Sequence, residues 1–169
     1  MKFTCLVAAL VLASSAFGQK LDLKFDAIAA RASEKVELDL DAGLLKLFLK
    51  MSGEADRDRD GWFGGLKALR IRSYNFEKSG GYSDKDLETL RNQVNAQSKF
   101  ARILTQKTDD ESNEIWVAAD GDKLGACLII AAEPKELSVI YLEGTFSLDQ
   151  IKGFIQHEGA QGFLRLAAR

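Results

Sequence analysis

The residues most suggestive of chemistry form the run Asp56-Arg57-Asp58-Arg59-Asp60-Gly61, three carboxylates at alternate positions closed by a glycine. Calcium loops place oxygen ligands at positions one, three and five, a glycine at six for the sharp turn, and an apolar residue at eight, here Phe63. The twelfth position, where a bidentate glutamate completes the shell, is Lys67. A cation there opposes a bound dication, and Arg57 and Arg59 already offset the negative charge of the loop. Asp56, Asp58 and Asp60 are thus an incomplete calcium site, and a solvated connector with balanced charges is the favoured reading.

A second grouping is Arg70, Arg72, Tyr74 and Phe76, whose alternate spacing puts them on one face of a strand. Single-strand binders use such faces, stacking bases on rings while arginines meet phosphate. The chain holds 23 basic against 25 acidic residues, however, without the concentrated basic field of a nucleic-acid protein. No nucleic acid is expected. The stripe fits a sheet face partly covered by another element, or one offered to a protein or an acidic ligand.

Other catalytic kits are short of parts. His157 is the sole histidine, so a histidine-rich metal centre cannot be assembled. It sits in Gln156-His157-Glu158-Gly159 at an expected helix end, where the dipole favours a cationic imidazole. No carboxylate pair stands in an apolar setting that would raise one pKa for acid–base work. Gly64-Gly65 and Gly80-Gly81 are isolated turn glycines and cradle no phosphate. No cofactor is expected, and the chain reads as non-enzymatic.

The compartment is written at the start. Lys2, the uncharged run Phe3 to Ala13 and the small-residue end Ala16-Phe17-Gly18 follow the order of a secretory signal peptide. Cleavage is expected near Gly18/Gln19, giving a periplasmic or secreted product, residues 19–169, with no later membrane-spanning stretch. Losing Lys2 leaves 22 basic against 25 acidic residues, and losing Cys5 leaves Cys127 without an intramolecular partner. Cys127 lies in the apolar run Leu124 to Ile130, where a free thiol acts as a small hydrophobe. Stability must then come from packing, for which a single domain of this size suffices.

The elements that position these groups follow from periodicity. Phe25, Ile28, Ala29 and Ala32 mark one face of a short helix, and Val36, Leu38 and Leu40 alternate as a half-buried strand. Asp41 caps a helix over Gly43 to Ser52 whose apolar arc, Leu44, Leu45, Leu47, Phe48, Leu49 and Met51, exceeds a single core contact. A strand runs from about Ala68 to Glu77, and Ser83 with Asp86 opens a helix carrying Leu87, Leu90 and Val94. Four strands follow, Phe100 to Lys107, Glu114 to Ala119, Lys123 to Ala132 and Leu137 to Gly144, with turns at Asp120-Gly121 and Glu133-Pro134-Lys135-Glu136. Ser147 caps a last helix, and a short apolar tail, Phe163 to Leu166, ends the chain. The expected fold is α+β: a mixed or antiparallel sheet of about five to six strands, closing in a C-terminal four-strand meander, with helices mainly on one face.

Two strings resemble a known pattern: Gly65-Leu66-Lys67-Ala68-Leu69-Arg70-Ile71-Arg72 followed by Tyr74-Asn75-Phe76-Glu77, and Ala131-Ala132-Glu133-Pro134-Lys135-Glu136-Leu137-Ser138-Val139, which leads to Gly144 and Ser147-Leu148-Asp149-Gln150. Together they resemble the secreted bacterial family called domain of unknown function 4252, over about Leu21 to Phe154. The resemblance implies a small exported α+β domain of Gram-negative envelopes without assigned catalytic residues. The expected function is a protein–protein interaction or scaffolding module for an envelope protein or a second copy, with Leu45, Leu49, Arg70, Arg72 and Tyr74 as its surface. Alternatives are a small-ligand or calcium module on the Asp56–Asp60 loop and a hydrolase of unorthodox site.

Overall fold

The computed structural model describes residues 21–52, 65–97, 99–147 and 149–151. Helix α1 (Asp26–Ala29), strand β1 (Glu34–Asp41), helix α2 (Ala42–Ser52), strand β2 (Leu66–Asn75) and helix α3 (Asp84–Asn95) precede four strands. These are β3 (Phe100–Lys107), β4 (Ser112–Asp120), β5 (Lys123–Glu133) and β6 (Glu136–Phe146). They form one six-stranded sheet in the order β1-β2-β6-β5-β4-β3, each neighbouring pair antiparallel. The closing meander is as the alternating pattern implied, and its first strand, β3, becomes an edge. β6 then pairs back onto β2, which joins the early hairpin to the late one.

Local chemistry explains the boundaries. The Asp41 carboxylate accepts from the backbone N–H groups of Gly43 and Leu44, satisfying donors that the first turn of α2 leaves free. Ser83 and Asp86 form a reciprocal capping box on α3. Ser147 and Gln150 make the same exchange at a helical start over 149–151, whose Ile151 is buried. The β4–β5 turn needs Gly121, whose φ of +64° suits glycine. At Gly144 a side chain would overlap the carbonyl oxygen of Gly65, which brings β2 and β6 close beside a register shift at Leu66/Ala68.

The helices divide between the two faces of the sheet, a correction to the expectation that they pack mainly on one. Ile28 of α1 and Leu87, Leu90 and Val94 of α3 cover one face, here face A, against Tyr74, Trp116, Leu128 and Leu137. Leu45 of α2 and Ile151 cover the other, face B, against Leu69, Ile71, Ile129 and Ile140. The reason is the composition of β5 and β6, which are apolar on both faces and bury both. Leaving either face wet would forfeit about 1.5–3 kcal/mol per large aliphatic side chain.

Cys127 is fully buried on face B, and burial pushes its thiol up to about 12. Since the thiolate is the reactive form, an aromatic disulfide reagent at pH 8 should label native protein at least a hundredfold more slowly than urea-unfolded protein. Rapid labelling of the native chain would show that the strand around Cys127 opens readily.

Candidate functional site

Face A carries the chemistry. Cross-strand pairing lines up Asp39, Arg70, Tyr141, Leu128, Trp116 and Arg102 from one edge of the sheet to the other. Near each end a guanidinium lies over an aromatic ring, Arg70 at 5.4 Å from the Tyr141 centroid and Arg102 at 5.2 Å from that of Trp116. α3 covers the β3–β4 end of this face, while residues 21–25 and α1 cross the β1–β2 end.

That crossing segment is pinned. Lys24 exchanges two backbone hydrogen bonds with the Gln93 side chain, donating to Oε1 at 2.7 Å and accepting from Nε2 at 3.3 Å. Arg31 meets Asp86 at 2.9 Å, and Phe25 packs its ring 5.6 Å from that of Tyr74. Between segment and sheet lies a half-open cleft of about 470 Å³. Leu21, Leu23 and Phe25 form its outer wall, Asp22 stands at its rim, and Leu128 and Val139 lie on the sheet side.

Its cations are Arg70 and Arg72. Arg72 is fully engaged: Nη2 meets Asp39 Oδ2 at 2.8 Å, and Nη1 donates to the carbonyls of Ile71 at 2.9 Å and Leu38 at 3.3 Å. Arg70 has only a longer approach, Nε to Asp39 Oδ1 at 3.6 Å, and its buried Nη1 has no acceptor among the described residues. A buried donor without an acceptor costs about 1–3 kcal/mol, so Arg70 is held less completely than Arg72. Tyr141 and Tyr74 are pushed up to about 12, first by burial and then by Glu143 and Glu37 respectively, so both stay neutral donors.

The interaction residues expected from sequence are therefore separated. Arg70 and Arg72 share the cleft, and Tyr74 lies beside it, buried to 1% exposure under Phe25. Leu45 is equally buried, on face B. The outer face of α2 is offered instead by Leu44, Leu47 and Met51, exposed to 51%, 54% and 79%. Leu49 lies in α2 with its side chain outside the described residues, and Asp56, Asp58, Asp60, His157, residues 1–20 and residues 163–166 lie outside them as well. Among the described residues no group of three or more His, Cys, Asp or Glu side chains is placed to hold a metal, and no helix is long and apolar enough to cross a membrane.

Sequence reasoning missed the ion cluster at the other end of face A. Glu114, 2% exposed, meets Arg91 at 2.6 Å and Arg102 at 3.3 Å, and accepts from Trp116 Nε1 at 3.2 Å. The available signal was its position: a glutamate two residues before a tryptophan, on the inward face of an apolar strand, needs cationic partners. Burial alone would raise its carboxyl, but the hydrogen bonds and charges of Arg91 and then Arg102 outweigh that and hold it below 4.5.

A family model described as Domain of unknown function (DUF4252) matches residues 31–154. No curated protein and no solved structure matches the chain.

The cluster predicts a stability change with a definite pH sign. Glu114→Gln should destabilise by about 2 kcal/mol, because removing one partner strands the others, and half-exposed arginines recover part of the loss from water. A carboxyl lowered on folding contributes stability above its unfolded pKa and loses it as pH falls through the folded value. Urea titrations between pH 7 and pH 3 should thus show wild type and variant converging in acid. A constant gap across that range would exclude the ionic origin.

Proposed function

The chain belongs to the Domain of unknown function (DUF4252) family, and on that premise we propose that it is an exported, non-enzymatic envelope protein acting as a protein–protein interaction or scaffolding module. The observation that carries this reading is the outer face of α2. Leu44, Leu47 and Met51 recur at i, i+3 and i+7, so they form one row along the helix, while Leu45 turns into the core. Contiguous apolar surface of this kind marks partner contact more often than chance exposure does. Lys46 and Lys50 give the row a polar border on one side.

Among the described residues, the directions in which side-chain pKa values move fit binding better than acid–base catalysis. General acids and bases work best with a pKa near the operating pH. Burial drives Tyr74, Tyr82, Tyr141 and Cys127 up to about 12, while Asp86 and Glu114 are lowered. Among the described residues Glu133 is the carboxylate raised toward neutrality, by burial and then by Glu136 and Glu111, and it stands at a β-turn rather than in the cleft.

A photo-crosslinking residue placed at Leu47 or Met51 in cells should give a discrete adduct, and one at Lys85 on α3 should give none. The mature polypeptide recovered from the same cells should begin at Gln19 and reside outside the cytosol. Absence of any adduct at α2, together with a monomer by light scattering, would overturn the interaction reading. A chain beginning at Met1 would overturn export.

A further inference from the structure

We propose that the cleft between residues 21–25 and face A is a binding site for a small monoanionic amphiphile, a carboxylate on a medium-length apolar chain. Three features select this class. The Arg70 guanidinium lines the cleft 5.4 Å from the Tyr141 ring centroid, and among the described residues its carboxylate contact is a single long one, Nε to Asp39 Oδ1 at 3.6 Å. A guanidinium fork matches the planar geometry of a carboxylate. The adjoining walls, Leu21, Leu23, Phe25, Leu128 and Val139, are apolar, and the volume of about 470 Å³ falls in the range of small-molecule pockets.

Charge decides between anions. Arg70 and Arg72 share Asp39 at 3.6 and 2.8 Å, leaving one net positive charge from these three groups. Asp22 at the rim opposes an incoming anion, so a dianionic phosphate is disfavoured where a monoanion is accommodated. The tail is assigned by the same accounting of polar groups. A peptide would bring backbone N–H and C=O groups against walls formed by Leu21, Leu23, Phe25, Leu128 and Val139, and the Lys24 backbone is already committed to Gln93. An alkyl chain carries no such demand. Arg70 contacts the ligand directly in this arrangement, whereas Arg72, tied to Asp39 and two carbonyls, positions it.

Octanoate is the probe, titrated into the purified mature protein and followed by amide chemical shifts and calorimetry. Saturable shifts should map to Leu23, Phe25, Arg70 and Tyr141, and each methylene removed from the chain should weaken binding by about fourfold. Octanol, with a similar tail and no charge, should bind at least tenfold more weakly. Arg70→Gln should weaken octanoate at least tenfold, while Asp22→Asn, which removes the opposing charge at an exposed position, should strengthen it two- to fivefold. These opposite signs separate ligand contact from mere loss of fold, and an unchanged thermal midpoint in Asp22→Asn keeps that arm valid if Arg70→Gln unfolds. Equal affinity for octanol, no response to Asp22→Asn, or tighter binding of an acetylated trileucine peptide would each overturn the proposal. So would octanoate shifts confined to α2, an outcome that leaves the interaction role of that helix standing.

Discussion

A strand that is apolar on both faces has to be covered twice, and β5 and β6 are such strands. Ala126, Leu128 and Ile130 look toward face A while Cys127 and Ile129 look toward face B. β6 repeats the pattern with Val139 and Tyr141 against Ile140 and Leu142. From this constraint the architecture follows. α3, α1 and the segment before it are spent on one face, α2 and the helical start at Ile151 on the other. The meander supplies the pairing, but the two-sided burial decides where each helix goes. A one-sided antiparallel sheet would have left alternate residues of β5 polar, and the run Ala126 to Ile130 contains none.

Covering face A also explains its unusual charges. α3 is long enough to shield the β4 end but not the β1 end, so two different solutions close the same face. At β4 a buried glutamate is neutralised from two directions, by Arg91 above and Arg102 beside it. At β1 two arginines converge on one aspartate, which leaves a guanidinium with spare donors beneath a thin covering of chain. The first arrangement is saturated and serves stability. The second is less completely paired and borders a cleft with apolar walls, which is why the binding proposal rests on it rather than on the Glu114 cluster.

Much of this was legible from spacing alone. The alternation of Val36, Leu38 and Leu40, the Asp41 cap, the Ser83–Asp86 box and the four closing strands are local patterns, fixed by contacts a few residues apart. The stripe of Arg70, Arg72 and Tyr74 was also correctly placed on one strand face. What spacing did not carry was the identity of the covering element. Tyr74 becomes core because Phe25, forty-nine positions earlier, lies over it, and Leu45 becomes core because α2 packs on face B against β1 and β2. The Glu114 cluster was missed for the same reason: its partners come from α3 and β3, and only the sheet order brings them together. Register, not composition, made the site.

The two free sheet edges bear on how such a domain meets a partner. Strand addition needs a regular, uncharged edge with its backbone groups in line. β1 shows Glu34, Lys35, Glu37 and Asp39 along its length. β3 carries Arg102 and Lys107, and its pairing with β4 shifts register between Arg102 and Leu104, so the strand twists around Ile103. Both edges are thus blunted against indiscriminate pairing, even though Ile103 and Leu104 are substantially exposed. Among the described residues the α2 surface has no comparable protection: Leu44, Leu47 and Met51 stand exposed in one row, and the backbone behind them is already hydrogen-bonded within the helix. A partner would gain apolar burial there without having to supply backbone hydrogen bonds. That asymmetry between guarded edges and an exposed apolar helix row is the physical ground on which we propose macromolecular contact at α2 and small-molecule contact in the cleft of face A.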